Sequence, residues 1–399
     1  MTLSFIVTSY NVAPYLLQCL DSLQPCLRPG DEVILIDDNS TDRTDVLAEQ
    51  RFATGFGPGI DSRLVLLGTN TMGGVGIPAN IGLSLARGDG IFFVDGDDWL
   101  EPSGFLACRD AFETAAPDIL IGNYLEHDQG TGQTRQPADS QRWPDLAAAA
   151  GDAAALRMVA LSMIAVPWRK FYRRDFLRAA GIRFPEGDFF YEDNPFHWQV
   201  CRKAATIAFH DRVLCRHRVN RPGQTMAATG VEFLAFFRHF DTIAAGIEPG
   251  DTVLRAAALE WLVNNMSWQI GRMNQGAYWA YATRAAQVLE GEATAWAAIR
   301  HRYAGSAIGG MVEALVRGQI AGTVAAWMAD RSLQTVTRLE RRIRTDLPDQ
   351  AQARDRARQI DRLAEQVQAL GLIAEFQALR ALHDGAGTDS PSAEDMPRP

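Results

Sequence analysis

Four short apolar runs in the first hundred residues, separated by helical patterns, constrain this chain more than any other feature of it. They lie at 3–8 (LSFIVT), 32–36 (EVILI), 64–67 (LVLL) and 90–94 (GIFFV). Each is near-continuously apolar, which predicts strands covered on both faces. Between the first two, Tyr15, Leu16, Cys19, Leu20 and Leu23 fall at helical spacing over 14–24, before Pro25, Pro29 and Gly30 break the pattern. A second helix is expected over 43–52 with Thr41 or Asp42 as cap, and a third over 80–86, closed by Arg87 and Gly88. This alternation predicts an α/β fold with a Rossmann-like, mainly parallel sheet. In open sheets of that kind, ligands bind beyond the carboxyl ends of the strands. Tyr10, Asp38 and the segment 95–98 all fall at such ends, so three polar groups converge on one edge.

The segment is Asp95-Gly96-Asp97-Asp98, directly after the apolar run 90–94. Carboxylates at contact distance raise one another's pKa, so such a cluster persists where a cation or hydrogen bonds neutralise it. Two readings fit. One is a site for a hard cation, Mg²⁺ or Mn²⁺, with positions open to a phosphate. The other is an acidic turn ahead of the helix that starts after Glu101-Pro102.

Composition narrows the function classes. With 399 residues, the chain is long enough for two or three domains. Apolar residues make up 47% and charged residues 22%, as in globular proteins. A net charge of -9 argues against nucleic-acid partners, which need a basic footprint. The five cysteines show no metal-ligand spacing and predict reduced thiols in a cytoplasmic setting. The start, MTLSFIVTSYN, has no basic leader, and no apolar run reaches about 18 residues. Membrane contact is therefore expected to be peripheral. Gly74-Val75-Gly76-Ile77-Pro78-Ala79 has the G-x-G-x-x-A form, but residues 68–73 separate it from its strand. That spacing argues against a nicotinamide or flavin site.

Beyond the first hundred residues, 117–124 reads as a strand, 126–145 as a loop or β-excursion, and 147–166 as a helix. Residues 167–218 read as helices mixed with irregular segments. From about 230 onward the pattern is helical, with Trp261, Trp268, Trp279, Trp296 and Trp327 expected in its core. Residues 331–344 carry five arginines against one glutamate, with Leu333, Val336, Leu339 and Ile343 on one face. Such a basic amphipathic helix fits either an anionic membrane surface or a packed helix with a solvated face. Residues 351–383 place Ile360, Leu363, Val367 and Leu370 at 3-4-3 spacing, which leaves self-association as a third option. Residues 385–399, polar and Pro-rich, predict a disordered tail.

A set of short motifs carries a resemblance. They are Ile6-Val7-Thr8-Ser9-Tyr10-Asn11, the stretch from Val33 to Asp42, Asn80-Ile81-Gly82, and Phe93-Val94-Asp95-Gly96-Asp97-Asp98 with Pro102 behind. Then follow Trp168-Arg169-Lys170-Phe171-Tyr172-Arg173-Arg174, Gly181 to Gly187, and Tyr191-Glu192-Asp193. In this order and spacing, the N-terminal ~220 residues resemble a family 2 glycosyltransferase of the inverting, GT-A type found in bacterial surface-glycan assembly.

The resemblance implies roles. Thr8, Tyr10 and Asp38 would contact the nucleoside of the donor, with Asp38 accepting from the base. Asp97 would touch the ribose or share the metal, and Asp98 would ligate Mg²⁺ or Mn²⁺ bridging the diphosphate. His217 and Arg218 would reach the diphosphate from a basic loop, with 220–225 as a lid. Asp193 matches the catalytic base, Glu192 and Trp168 the acceptor side. The residues themselves leave rival readings: Asp37 or Asp42 as caps, Glu192-Asp193 as the start of a helix over 194–204, Trp168 as core. A base at a helix N-terminus is expected to have its pKa lowered. Two departures stand out: Pro78-Ala79-Asn80 lacks an arginine that many relatives carry, and Arg169 replaces a common Asn.

The expected product is a hexosyltransferase in four parts: a catalytic domain over 1–225, a helical domain over 226–330, amphipathic or oligomerisation helices over 331–384, and the tail. Its partners would be a nucleoside-diphosphate sugar, UDP-linked first, and a glycan or lipid-linked hydroxyl. Its place would be the cytoplasm or the inner face of the plasma membrane. The rival is a catalytically silent nucleotide-sugar-binding scaffold. A nucleotidyltransferase would want a Gly-rich loop after the first strand, where Ser9-Tyr10-Asn11 stands.

Overall fold

The computed structural model describes residues 1–221 and 229–346, with short pieces at 358–359, 361–363 and 365–366. The four apolar runs form β1 (Leu3–Ser9), β2 (Glu32–Asp37), β3 (Asp61–Leu66) and β4 (Gly90–Asp95). They pair in parallel in the order β3-β2-β1-β4. The crossovers are α1 (Ala13–Leu23), α2 (Thr44–Thr54) and α3 (Gly76–Leu85). The third helix starts four residues ahead of the expected position, since Pro78 fits a first turn that needs no N–H. Arg43, not Thr41 or Asp42, occupies the N-cap of α2, in the left-handed region at φ 74°. Asp42 instead accepts N–H groups from both Thr44 and Ala13, tying α2 to the start of α1.

Alternate side chains of the strands fill two separate layers. On one face Phe5 and Phe92 meet Phe105 of α4 (Pro102–Ala115), with ring centroids 5.5 and 4.9 Å from it. On the other, Phe93 packs edge-on to Tyr172, Phe184 and Phe196. Burying each such ring stabilises the fold by roughly 1.5–3 kcal/mol. Gly82 of α3 permits the close approach, because a Cβ there would fall onto Ile6 and Ile36.

The sheet continues with β5 (Trp99–Leu100), β6 (Ile119–Asp128), β7 (Thr134–Arg135), β8 (Lys170–Arg173) and β9 (Ile207–Val219). Its nine strands run β3-β2-β1-β4-β8-β6-β9-β5, with β7 on β6. The β8 strand is antiparallel to β4 and β6, and β5 is antiparallel to β9, so the sheet is mixed beyond β4. Two expectations fail here. The stretch 147–166 is two helices, α5 (Asp145–Ala149) and α6 (Ala153–Ser162). Gly151 at φ 84° breaks them, and Asp152 caps the second by accepting from Ala154 and Ala155. The stretch ending at Arg218, read as irregular with a basic loop, ends in the 13-residue strand β9. Two further helices, α7 (Arg174–Ala179) and α8 (Asp193–Lys203), lie between β8 and β9.

The chain divides into two compact units, 1–228 with 238–258, and 229–237 with 259–399. Among the described residues the C-terminal region is helical: α9 (Ala235–Ala245), α10 (Thr252–Ile270), α11 (Tyr278–Gly291), α12 (Ala293–Ile299), α13 (Ala307–Val316) and α14 (Ile320–Asp346). Trp296 and Trp327 are buried as expected, whereas Trp279 is exposed. On α14, Val336 is buried while Leu333 and Leu339 are exposed; the Ile343 side chain and most of 351–399 lie outside the described residues. Among the described residues, no helix is long and apolar enough to cross a membrane.

Candidate active site

The carboxyl ends of β1, β2 and β4 form one wall of a cavity of about 460 Å³. Strand register sets this wall: Thr8 lies opposite Asp95, and Ser9 opposite Asp37. The acidic turn is pinned to it by the Gly96 N–H, which donates to Thr8 O at 2.9 Å. A side chain at 96 would press on that same oxygen at 3.0 Å, tighter than Cβ atoms ordinarily pack, so glycine suits the turn. Asp37 faces inward as a local brace, accepting from Ser9, the Ser40 N–H and the Ser40 hydroxyl. Asp38 lines the cavity with Thr8 and Tyr10. Its pKa is pushed up by burial, with bonds from Thr71 pulling the other way.

The pairing of β5 with β9 completes the acidic end. Trp99 lies opposite Arg216, which carries His217 to the preceding residue, Asp98. His217 Nδ1 is 2.9 Å from Asp98 Oδ2, and the Arg218 N–H donates to Asp98 Oδ1 at 2.7 Å. Asp95, Asp98 and His217 each bring a ligand atom within 4.8 Å of the others. Burial and the two neighbouring carboxylates raise Asp95 well above the usual carboxylate range. Burial raises Asp98 too, against the opposing charge and hydrogen bond of His217. Burial alone would lower His217, but Asp98, Asp97 and Asp95 overcome it and lift the imidazole to about 9. Two oxygen donors and one nitrogen donor, short of positive charge, fit a hard divalent cation.

The opposite wall comes from the start of α8. Asp193 is the first residue of the helix and Glu192 its N-cap. Both line the cavity, so the helix-start and site positions coincide. The expected lowering of the base's pKa does not occur. Burial raises Asp193, with Lys170 the largest opposing influence, and burial with Asp193 raises Glu192 to about 7. Desolvation outweighs the helix terminus here. The Glu192 carboxylate accepts the Gly76 N–H at 2.7 Å, anchoring the loop that precedes α3. Trp168 also borders the cavity, but it is only 4% exposed. It stacks on His217 at 4.8 Å and stands edge-on to Tyr124 at 4.7 Å, leaving little of the indole open.

The structure therefore gathers Thr8, Tyr10, Asp38, Asp97, Trp168, Glu192, Asp193 and His217 around one cavity. Asp98 lies behind His217, and Arg218 does not reach the cavity lining. The Arg218 guanidinium donates to Asp97 O and Gln18 Oε1, both at 2.8 Å, and to Gln129, and it covers the rings of Tyr15 and Trp99. The sequence reading missed Arg221, which lines the cavity and pairs with Asp97. It also missed Asn70 and Thr71, which hold Asp38, and gave no role to Lys170. Loop residues leave no periodic signal; Lys170, a lysine inside the strand KFYR, left a visible one. Of the lid expected over 220–225, residues 222–225 lie outside the described residues.

A parallel sheet carrying an acidic turn after its fourth strand, and a carboxylate at a helix start facing it, are the arrangement of the GT-A fold. The sequence model of Glycosyl transferase family 2 matches residues 4–181, just under half of the chain, and that part is similar to the family. Among curated relatives, the uncharacterized glycosyltransferase EpsJ of Bacillus subtilis is 29% identical over 221 residues, 54% of this chain and 61% of that protein. The poly(ribitol-phosphate) beta-glucosyltransferase of Bacillus spizizenii is 26% identical over 254 residues, 63% of this chain and 37% of that protein. The chain thus spans less than two thirds of the length of either. Among solved structures, TarS 1–349 of Staphylococcus aureus in complex with UDP-GlcNAc aligns with a TM-score of 0.64 at 20% identity. It covers 83% of this chain and 92% of that one, a likeness of fold that extends beyond the family match.

Proposed function

We propose that this protein is an inverting, cation-dependent glycosyltransferase. It would move a sugar from a nucleoside diphosphate, UDP first, to a hydroxyl of a bacterial surface glycan or its lipid-linked precursor. One observation carries the reading: Asp193 lines the same cavity as Asp95 and His217 of the cation-type cluster. Relatives named as poly(ribitol-phosphate) glycosyltransferases, and a fold neighbour solved with UDP-GlcNAc, support the donor and acceptor classes.

In this reading Thr8, Tyr10 and Asp38 receive the nucleoside, and Asp97 lies beside the ribose. Asp98, His217 and Asp95 would hold Mg²⁺ or Mn²⁺, which supplies Lewis-acid stabilisation of charge on the leaving diphosphate. Asp193 takes the proton of the acceptor hydroxyl as that oxygen attacks the anomeric carbon. The bond to the diphosphate breaks, and the nucleoside diphosphate leaves with its electron pair. One displacement inverts the anomeric centre. The silent-scaffold alternative is weighed down by the presence of both base and cluster. We assign the chemistry to residues 1–225 and the setting to the cytoplasm or the inner membrane face.

The deciding measurement is transfer by Asp193→Asn on a panel of glycan acceptors, with UDP binding followed in parallel. Loss of transfer with UDP binding intact is expected. Transfer at the wild-type rate removes Asp193 as base and the reading with it.

A further inference from the structure

Asp38 directly follows the second strand of the sheet, is 5% exposed, and borders the cavity beside Tyr10 and Asn70. The loop after β3 holds its carboxylate. Oδ1 accepts the Thr71 backbone N–H at 2.8 Å. Oδ2 accepts the Thr71 hydroxyl at 2.9 Å and the Asn70 amide at 3.1 Å. The same amide reaches the Asp38 carbonyl oxygen at 3.0 Å, which fixes the loop against the strand end. A carboxylate has about four acceptor directions, two on each oxygen. Oδ2 is full and Oδ1 is half full. One direction remains, and it belongs to a single oxygen.

We propose that Asn70 and Thr71 set the base selectivity of the donor site, by leaving Asp38 able to accept one N–H and so favouring a uracil-type imide over guanine. This rests on the nucleoside-diphosphate reading of the cavity. Uracil presents one N–H between two carbonyl groups, and one acceptor direction satisfies it. Guanine presents two parallel donors, which an open carboxylate takes with both oxygens at once. Here the second donor finds Oδ2 already saturated and is left without a partner, a costly state in a desolvated site. Cytosine and adenine turn a ring-nitrogen lone pair toward the carboxylate in place of a donor. Tyr10, 46% exposed, offers ring surface that every base can use, so discrimination falls to the Asp38 edge.

UDP and GDP share ribose and diphosphate, so the ratio of their affinities reads the base alone. Calorimetric titration of the full chain with each, in the presence of Mn²⁺, is the test. The wild type is expected to prefer UDP by about tenfold or more. Asn70→Ala with Thr71→Val opens both directions on Oδ2, and the preference is expected to shrink about tenfold, mainly by a gain in GDP affinity. Thr71→Ser keeps the hydroxyl and is expected to keep the wild-type ratio. Asn70 is exposed, so Asn70→Ala alone carries the test if the double variant fails to fold. Equal affinity of the wild type for UDP and GDP, or an unchanged ratio in the variants, overturns the proposal. Binding of neither diphosphate brings down the nucleotide reading itself, and this proposal with it.

Discussion

His217 Nδ1 lies 2.9 Å from Asp98 Oδ2, although 119 positions separate the two residues in the chain. The two-residue strand β5 makes the link. It follows the acidic turn at once and pairs with β9, laying Arg216 beside Trp99. The imidazole is thus the positive member of a buried acidic cluster, held protonated by its carboxylate neighbours to about 9 in spite of burial. A divalent cation would take over that neutralising role.

Asp98→Asn tests this directly. The amide oxygen can still accept the Arg218 N–H that now meets Oδ1 at 2.7 Å, so the turn is expected to keep its shape. The negative charge is lost. The gain in UDP affinity on adding Mn²⁺ is expected to fall by about tenfold or more, read by calorimetry with and without metal. An undiminished Mn²⁺ effect would show that Asp98 does not serve the cation.

Glu192 makes stability depend on pH in a defined direction. Burial, and then Asp193, raise it from 4.5 to about 7, so the folded chain holds this proton more tightly than the unfolded one. The stabilisation is complete below about 4.5 and is lost as pH rises to about 7, at no more than about 1.4 kcal/mol per pH unit. Glu192→Gln cannot ionise and escapes that loss. Its melting temperature relative to wild type is expected to climb across this window and then level off. A constant difference from pH 4.5 to 7.5 would mean that Glu192 titrates as an ordinary carboxyl group.

The parallel half of the sheet was legible because β1, β2 and β4 are covered on both faces and read as unbroken apolar runs. Their ends pointed to Thr8, Tyr10, Asp38 and the acidic turn, and these do share a cavity. The β9 strand was not legible. Its sequence, IAFHDRVLCRHRV, mixes charged and apolar residues, and its pairing with β6 shifts register at Gly122, Asn123 and Tyr124. Without β9, the partnership of His217 with Asp98 had no visible cause. Asn70, Thr71 and Arg221 lie outside regular elements, where only tertiary contacts assign a role.

Lys170 shapes the electrostatics around Asp193. It is wholly buried on β8, donating to Val166 O at 2.5 Å and, more weakly, to Ile164 O at 3.5 Å. Burial, and then Arg169, lower its pKa to about 7. Its positive charge is the largest influence opposing the burial that raises Asp193. Lys170→Met removes that charge while keeping a long apolar stem. The acidic limb of kcat/KM, which reports the free enzyme's base, is expected to move to higher pH. A limb that stays in place would show that Lys170 serves packing alone.

Arg169 and Asp139 form a buried pair. Arg169 is fully buried, donating to Asp139 Oδ2 at 2.6 Å and to Gly122 O at 2.9 Å, with its guanidinium 4.8 Å above the Tyr124 ring. The pair pins the segment after β7 to the register shift in β6. Asp139→Ala strands a guanidinium in the interior and is expected to cost about 3–5 kcal/mol. Replacing both partners, Asp139→Leu with Arg169→Met, removes the uncompensated charge and is expected to recover most of that loss. Urea unfolding of the three chains measures it through the midpoint at a constant slope. If the double variant is no more stable than Asp139→Ala, the Arg169 bond to Gly122 and its contact with Tyr124 outweigh the charge pair.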